Sequence, residues 1–540
     1  MANHPSEVDI IFVGESLVAC AAAGRLAAAN PELEILLVEQ GPNNLNEPTV
    51  FTPGLMLTHL APDSKSALFW QGNKSDAVNG RGPVVASGGI LGGGSSAKIL
   101  RYTRPAASDF DDWKTPGWAA KDLIPLLRKI ETYHLGSGLE VHGYNGPIHV
   151  SYSNYYFHVA QEYLDVITRR GVPLVEDLWD LKTGHGCQRL PKYIHPTTGR
   201  RQDAAHCYIH PQASNTSLHV LTKTQVVRVL FDGTKATGVQ RSGIGCAERL
   251  SKLGVPVVSD LPDVGRHYED HSSLIPLFHI GDDVETMDCI IEQDPGFMGK
   301  YVPEFAEGRG YLTSNANDAG GKLRPSPEEL KNMGPAFQAV FKQKFEPAPD
   351  KPVLIQTLFN GFFGPRSMVP DGKRFMMIAN IQAYPASRGH VYITSTDPYA
   401  APDFDTGFLN EQSDVDVLIW AYKHCRFPPG SAAGCVRLDG PPSTEIEDLV
   451  YTDEDNAAVE EFIREGAGTT WHSIGTVPMR PKEQGGCVDS RLNVYGTTNL
   501  KVADLSIVPG NVGANTNSTA LVIGEKAAIL IAEDLGLNVP

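Results

Sequence analysis

Residues 8–26, "VDIIFVGESLVACAAAGRL", decide how the first part of this chain folds. Asp9 to Val13 reads as a strand, Gly14 as a turn, and the alanine-rich stretch through residue 29 as a helix. A polar turn, "NPELE", leads to a second apolar strand, "ILLVEQG", so residues 8 to 40 form a βαβ unit. In such a unit a dinucleotide lays its pyrophosphate against the free N–H groups of the helix start. The usual glycine pattern is G-x-G-x-x-G, but here its three positions are Gly14, Ser16 and Ala19. Ala19 adds one methyl group on the side of helix packing. Ser16 puts a Cβ where the phosphates approach the backbone, and Glu15 adds negative charge beside it. Weakened cofactor affinity is expected, offset by the helix N-terminus and by a hydroxyl able to bond phosphate. Glu39 closes the second strand, the place where an acid accepts hydrogen bonds from ribose hydroxyls.

A second glycine cluster follows at Ser87–Leu100, "SGGILGGGSSAKIL". Gly92, Gly93 and Gly94, then Ser95 and Ser96, leave N–H groups uncovered before a helix, an arrangement that suits a phosphate or a flavin edge. A flexible loop has the same composition. "YYFHVAQEYLDVITRRGVPL" reads as a helix with its exit turn, and residues 217 to 240 alternate as a hairpin about Asp232-Gly233. The pieces "VLIQTLFNGFF" and "FMMIANIQAY" predict an antiparallel sheet of a second domain, and residues 426 to 441 fit neither periodicity and read as a linker.

With 540 residues the chain needs more than one core, and its 41% hydrophobic and 20% charged content is that of a globular protein. A net charge of −17 without a basic stripe gives a nucleic-acid partner no support and favours a small molecule. The opening "MANHPSEVDIIFVG" lacks the marks of a secretory signal, and no apolar run approaches the roughly 18 residues of a membrane span. A soluble, intracellular protein without a membrane partner is expected. Eight scattered cysteines without a CxxC argue for reduced thiols and no metal.

The sharper chemistry lies near the end. "TTWHSIGT" frames His472 between Trp471 and Gly475, and "LKVADLSIVPGNVGANTNSTALVIGEKAAIL" predicts a strand ending at Asp504 and a long apolar helix headed by Asn515-Thr516-Asn517. Helix capping by itself would explain Asn515 and Ser518.

The order of the βαβ unit, "LGGGSS", "SGIG", "GRHYEDH", "WHSIGT", "DLSIVP" and "GANTNSTALVIGEKAA" resembles the glucose-methanol-choline (GMC) oxidoreductases, most closely the fungal alcohol (methanol) oxidases. The resemblance runs over nearly the whole chain, including "GRRQDAAH", "RPSPEEL" and "DPYAAPDFD". It implies an α/β protein, α+β overall, with a Rossmann-like FAD-binding domain and a substrate domain built on an antiparallel sheet. The FAD domain would comprise residues 1–155, 205–275 and 465–540, and the substrate domain 156–204 and 276–464. It also implies oxidation of a primary alcohol to an aldehyde by hydride transfer to flavin, with O2 as acceptor and H2O2 as product. His472 falls on the family's catalytic histidine and Asn515 on its second active-site position. Asp504, Thr516 and Asn517 fall on flavin-contacting positions, Val226 on the adenine contact and Glu39 on the ribose acid. Gly14, Ser16, Gly93, Gly94, Ser95 and Lys98 complete the expected cofactor site, and Trp471 and Ile99 the substrate site. A homo-oligomer is compatible with this picture. The expected location is cytoplasmic; a peroxisomal one would lack the usual SKL-type address, since the chain ends in "DLGLNVP".

Departures from the family pattern are as telling. Lys98 stands where an asparagine is usual beside the flavin, so it either balances charge on a reduced flavin or obstructs it. Ile99 replaces an aromatic residue and predicts an alcohol larger than methanol. Gln240 runs directly into Arg241-Ser242-Gly243, which omits a strand of the FAD sheet, and a second gap lies around 426 to 441. Two alternatives use the same residues: a non-redox, lyase-type enzyme, and an inactive diverged homologue with weakened FAD binding.

Overall fold

The structure, a computed structural model, describes residues 7–14, 16–136, 140–239, 244–291, 295–364, 372–425, 436–437 and 451–537. The expected βαβ unit forms as β1 (Ile10–Val13), α1 (Leu17–Ala29) and β2 (Ile35–Val38). A third strand, β3 (Leu218–Leu221), lies parallel to β2, with Ile35 opposite Leu218 and Val38 opposite Leu221. The sheet order is β1-β2-β3. This corrects the reading of 217–240 as one hairpin: its first strand joins the parallel sheet, and only Val229–Asp232 and Lys235–Val239 pair about the Asp-Gly turn. Period-2 alternation fixes the strand but not its partner, and here the partner lies far back in the chain.

β2 is sandwiched and mostly buried, whereas β1 forms one edge of the sheet, partly exposed throughout and with Val13 51% exposed. The residues around the junction at Gln240 to Gly243, where the sequence omits a strand, lie outside the described residues, as do Glu15 and most of the 426–441 linker.

α1 works as a packing element through its small side chains. Ten of its thirteen residues are buried, against a long C-terminal helix, α2 (Asn517–Asp534). The contact is close enough that a Cβ on Gly524 would lie 2.8 Å from the Ala21 Cβ and from the Val18 carbonyl oxygen. Larger residues there would overpack the interface, at about 1–3 kcal/mol. The pair is fastened by the buried Glu525, which accepts from Arg25 Nε at 2.8 Å and from the Tyr208 hydroxyl at 3.0 Å.

The predicted strands Leu354–Phe359 and Arg374–Gln382 form antiparallel in the middle of a seven-stranded antiparallel sheet, with Gln356 opposite Asn380. Both are buried on both faces, which is why they read as continuous apolar runs. Beyond them, Ala319–Leu323 pairs with Leu354–Phe359 and with Gly186–Arg189; on the other side Leu277–Ile280 pairs with Arg374–Gln382 and with Val436–Arg437. The architecture is thus mixed α/β, with a Rossmann-like parallel sheet and a separate, larger antiparallel sheet. Two main apolar cores go with them, one around α1 and α2 and one around the antiparallel sheet. Among the described residues no helix is long and apolar enough to cross a membrane, and no disulfide forms.

Candidate active site

The two glycine clusters, separate in sequence, meet in space. Gly14 takes φ +78° and Gly93 φ +53°, backbone conformations suited to glycine. A Cβ on Gly93 would lie 3.1 Å from the Ser16 Cα, so the second cluster presses against the first turn of α1. Ser16 is the N-cap of α1, its Oγ accepting from the Ala19 N–H at 3.4 Å. The space beside Gly14 and Gly94 is open. Ser95 is different: its hydroxyl donates to the Gly92 carbonyl at 2.6 Å and accepts from the Ala204 N–H at 3.0 Å, so it fastens the loop from within. Glu39 is buried at the end of β2, with Oε1 accepting from the Gly41 N–H at 2.7 Å. Val226 lies two residues past Thr224, whose N–H bonds the Glu39 carbonyl at 2.8 Å, so the expected adenine and ribose contacts are neighbours.

At the other end, His472 and Asn515 converge as expected: Asn515 Nδ2 stands 3.0 Å from His472 Nε2. Partners to which the sequence reading assigned no role fix that imidazole. The buried Asp270 carboxylate accepts from the backbone N–H groups of His271 at 2.7 Å and His472 at 2.9 Å, and from the hydroxyls of Thr469 and Tyr268. Burial lifts Asp270 to about 6 against these bonds.

The hydrogen-bond network assigns the tautomers. Val512 O can only accept, so His271 Nε2, 2.9 Å away, carries a hydrogen and His271 Nδ1 holds a lone pair. Thr470 donates its hydroxyl to the His271 carbonyl at 3.0 Å. His472 Nδ1 lies 2.8 Å from both His271 Nδ1 and Thr470 Oγ1, and it is therefore the donor. The lone pair of His472 is left on Nε2, facing Asn515. Burial, followed by His271, Arg101 and Lys98, pushes His472 well below its usual 6.5, and burial holds His271 at about 4. Both rings are neutral near pH 7.

Trp471, beside this imidazole, is 41% exposed and sits at φ +61°. A bulky residue in that region carries about 1–3 kcal/mol of strain, which the Asp270 and Thr469 contacts hold in place.

The start of α2 completes the site. Among the described residues, Asn515 Oδ1, Asn517 Oδ1, Ser518 Oγ, Thr519 Oγ1 and Lys98 Nζ are buried without a hydrogen-bond partner. Lys98 Nζ lies 4.1 Å over the Tyr193 ring, and burial lowers its pKa well below the usual lysine value. Thr516 is the N-cap of α2 but makes no side-chain cap bond, and the Thr103 hydroxyl donates to the Asn515 carbonyl at 3.2 Å. Ile99 packs beside Met56, Leu100 and Ile194, and its carbonyl accepts from Asn315 Nδ2 at 2.6 Å.

Asp504 departs from expectation in its element. No strand ends there; the residue is exposed and caps a 3-10 turn, accepting from the Ser506 N–H at 2.7 Å. "LKVAD" reads as a strand through its alternation, yet of these residues only Lys501 makes an isolated bridge, to Asn493.

Residues 11–259 and 385–524 match the GMC oxidoreductase family, together well over half of the chain. The chain is 38% identical to the alcohol oxidase of Pichia angusta over 99% of its own length and 96% of that protein, and 38% identical to the alcohol oxidase of Candida boidinii over the same shares. The first alignment spans 638 positions against a chain of 540, so the relative carries close to a hundred residues without a counterpart here. Among solved structures, an FAD-dependent oxidoreductase from Chaetomium thermophilum superposes with a TM-score of 0.84 at 24% identity, covering 98% of this chain and all of the other. A formate oxidase of Aspergillus oryzae gives 0.84 at 21% identity and 99% coverage of both chains. At such identities these two likenesses speak to fold.

Proposed function

This chain belongs to the GMC oxidoreductase family, and from that premise we propose that it is an FAD-dependent alcohol oxidase, taking a primary alcohol and O2 to an aldehyde and H2O2. The alcohol-oxidase relatives support the activity, and one observation carries it: an unprotonated Nε2 on His472, fixed by the Val512–His271 chain, opposite the Asn515 amide.

The residues fit the cofactor. Buried polar atoms left unpartnered at the start of α2 and at Lys98 are the donors and acceptors that a polar ring edge would need. Glu39 and Val226 would take the ribose and adenine, and Gly14, Ser16, Gly93 and Gly94 the phosphates. Ser95 would serve by shaping the loop, and Asp504 by capping the turn beside residues 475–479. FAD, when bound, supplies the hydride acceptor and passes electrons to O2.

The protein's own part is proton handling and alignment. An alcohol yields hydride only as its hydroxyl proton departs, and His472 Nε2 is placed to accept that proton. Asn515 Nδ2–H holds the alcohol oxygen and thereby orients its carbon. Because burial keeps His472 neutral, the base is ready across the whole neutral range. Ile99 in place of an aromatic side chain gives room for an alcohol larger than methanol, and the exposed Trp471 borders the approach. We place the enzyme in the cytoplasm, a proposal that fluorescence microscopy of the tagged chain would test.

A visible spectrum provides the main test. The purified holoenzyme shows flavin absorption that bleaches anaerobically with a primary alcohol, and in air peroxide forms in equal amount to aldehyde. A flavin that never bleaches with any alcohol overturns this reading in favour of non-redox chemistry.

A further inference from the structure

Arg101 is 2% exposed, and among the described residues none of its three guanidinium nitrogens has a hydrogen-bond partner and no carboxylate pairs with it. Its neighbours are aromatic: the guanidinium carbon lies 5.8 Å from the centre of the Trp179 ring, and Tyr163 is within electrostatic reach. Tyr163 in turn hydrogen-bonds Gln356 of the antiparallel sheet at 2.9 Å. The same residue is close enough to His472 to lower its proton affinity, as is the equally unpartnered Lys98.

A buried guanidinium without a single acceptor is very costly to keep in a folded protein. Other buried cations in this molecule have acceptors: Lys192 pairs with Asp318, Lys351 with Asp109 at 2.7 Å, and Arg201 donates to the Val50 and Lys98 carbonyls. Among the described residues nothing does the same for Arg101, and a counter-charge carried by a ligand would. The planar fork of arginine matches a carboxylate, which it holds by two parallel N–H bonds.

We propose that Arg101 is a specificity-determining residue which receives a carboxylate on the substrate, so that the enzyme's alcohol is a hydroxy acid anchored at Arg101 with its hydroxyl at His472 and Asn515. This rests on the oxidase reading and gives it a substrate class. The reaction keeps its balance: HO–CH2–R–COO− and O2 yield OHC–R–COO− and H2O2, the carboxylate passing through unchanged.

The test uses the FAD-loaded enzyme with a series of ω-hydroxy acids and neutral alcohols of matched length, and calorimetric titration with unreactive straight-chain carboxylates. A preference of about 100-fold in kcat/KM for the hydroxy acid is expected, together with heat on carboxylate binding. R101M abolishes the preference and the heat, and R101K restores part of both. Equal kcat/KM for the charged and neutral members, or carboxylate binding unaffected by R101M, overturns the proposal. Wild-type enzyme that binds carboxylates yet prefers neutral alcohols also overturns it, since the carboxylate would then be an effector. The wild-type series decides by itself should R101M not fold. Calorimetry reports on Arg101 even where no alcohol is oxidised, an outcome that sinks only the oxidase reading.

Discussion

The two ends of the site are built to different standards. Around His472, every element is fixed twice: Asp270 clamps two backbone N–H groups, and His271 and Thr470 both hold Nδ1. Around Gly14 the scaffold is thin, a three-stranded sheet with β1 on its edge and a serine at the proposed phosphate approach. The difference teaches that chemistry and cofactor retention rest on separate parts of this molecule and can be perturbed separately.

His472→Ala gives the largest effect on that contrast. Turnover with alcohol falls by about 10³-fold or more, while the flavin absorption of the purified protein persists. Simultaneous loss of colour would merge the two regions into one function. Asn515→Ala comes next, lowering kcat/KM by about 100-fold through lost alignment, measured by stopped-flow flavin reduction.

Ser16→Gly probes the thin end. Apoprotein titrated with FAD, followed by quenching of flavin fluorescence, binds about ten-fold more tightly, since the Cβ on the proposed phosphate approach is gone; the helix loses only a few tenths of a kcal/mol as a cap. An unchanged affinity would clear Ser16 of blame and point to the bare edge of β1.

Acid sensitivity is the mildest effect. His59, His210, His271 and His424 are each held to about 4 by burial, so below 6.5 the unfolded chain binds protons that the folded one refuses. Stability therefore drops as pH falls from 6.5 to 4, by about 3 kcal/mol for the fully buried His271 alone. Asp270, raised to about 6, acts in the opposite sense, as do the raised Glu269, Asp416, His142 and His206, but the lowered histidines, with His149, His185, His195 and His472 among them, outnumber these. Thermal melts over this range check the sign. In parallel, kcat/KM for a neutral alcohol keeps its plateau from pH 8 to 6.5, because His472 protonates only well below that value.

Much of this was legible in sequence where the signal is local. β1, α1 and β2 follow from periodicity within thirty residues, and the head of α2 from a polar triplet before an apolar run. His472 and Asn515 were paired through the family resemblance, and the 3.0 Å contact bears out their convergence. What stayed hidden depends on contacts between distant segments. Nothing near "YEDH" announces that Asp270 and His271 would hold His472, two hundred residues on. Nothing in the sequence singles out Arg101; only its surroundings do, which among the described residues offer no acceptor. That the Ser95 hydroxyl is engaged by Gly92 and Ala204 was likewise invisible in the sequence.

The tautomer chain behind His472 has an outcome for proton traffic. Val512 O ends it with a group that carries no exchangeable hydrogen, and His271, held at about 4, refuses a second one. The route behind the ring is a cul-de-sac. A proton drawn from the alcohol must return through the face by which it arrived, so it waits inside the cavity, on hand for the oxygen that has to leave as peroxide.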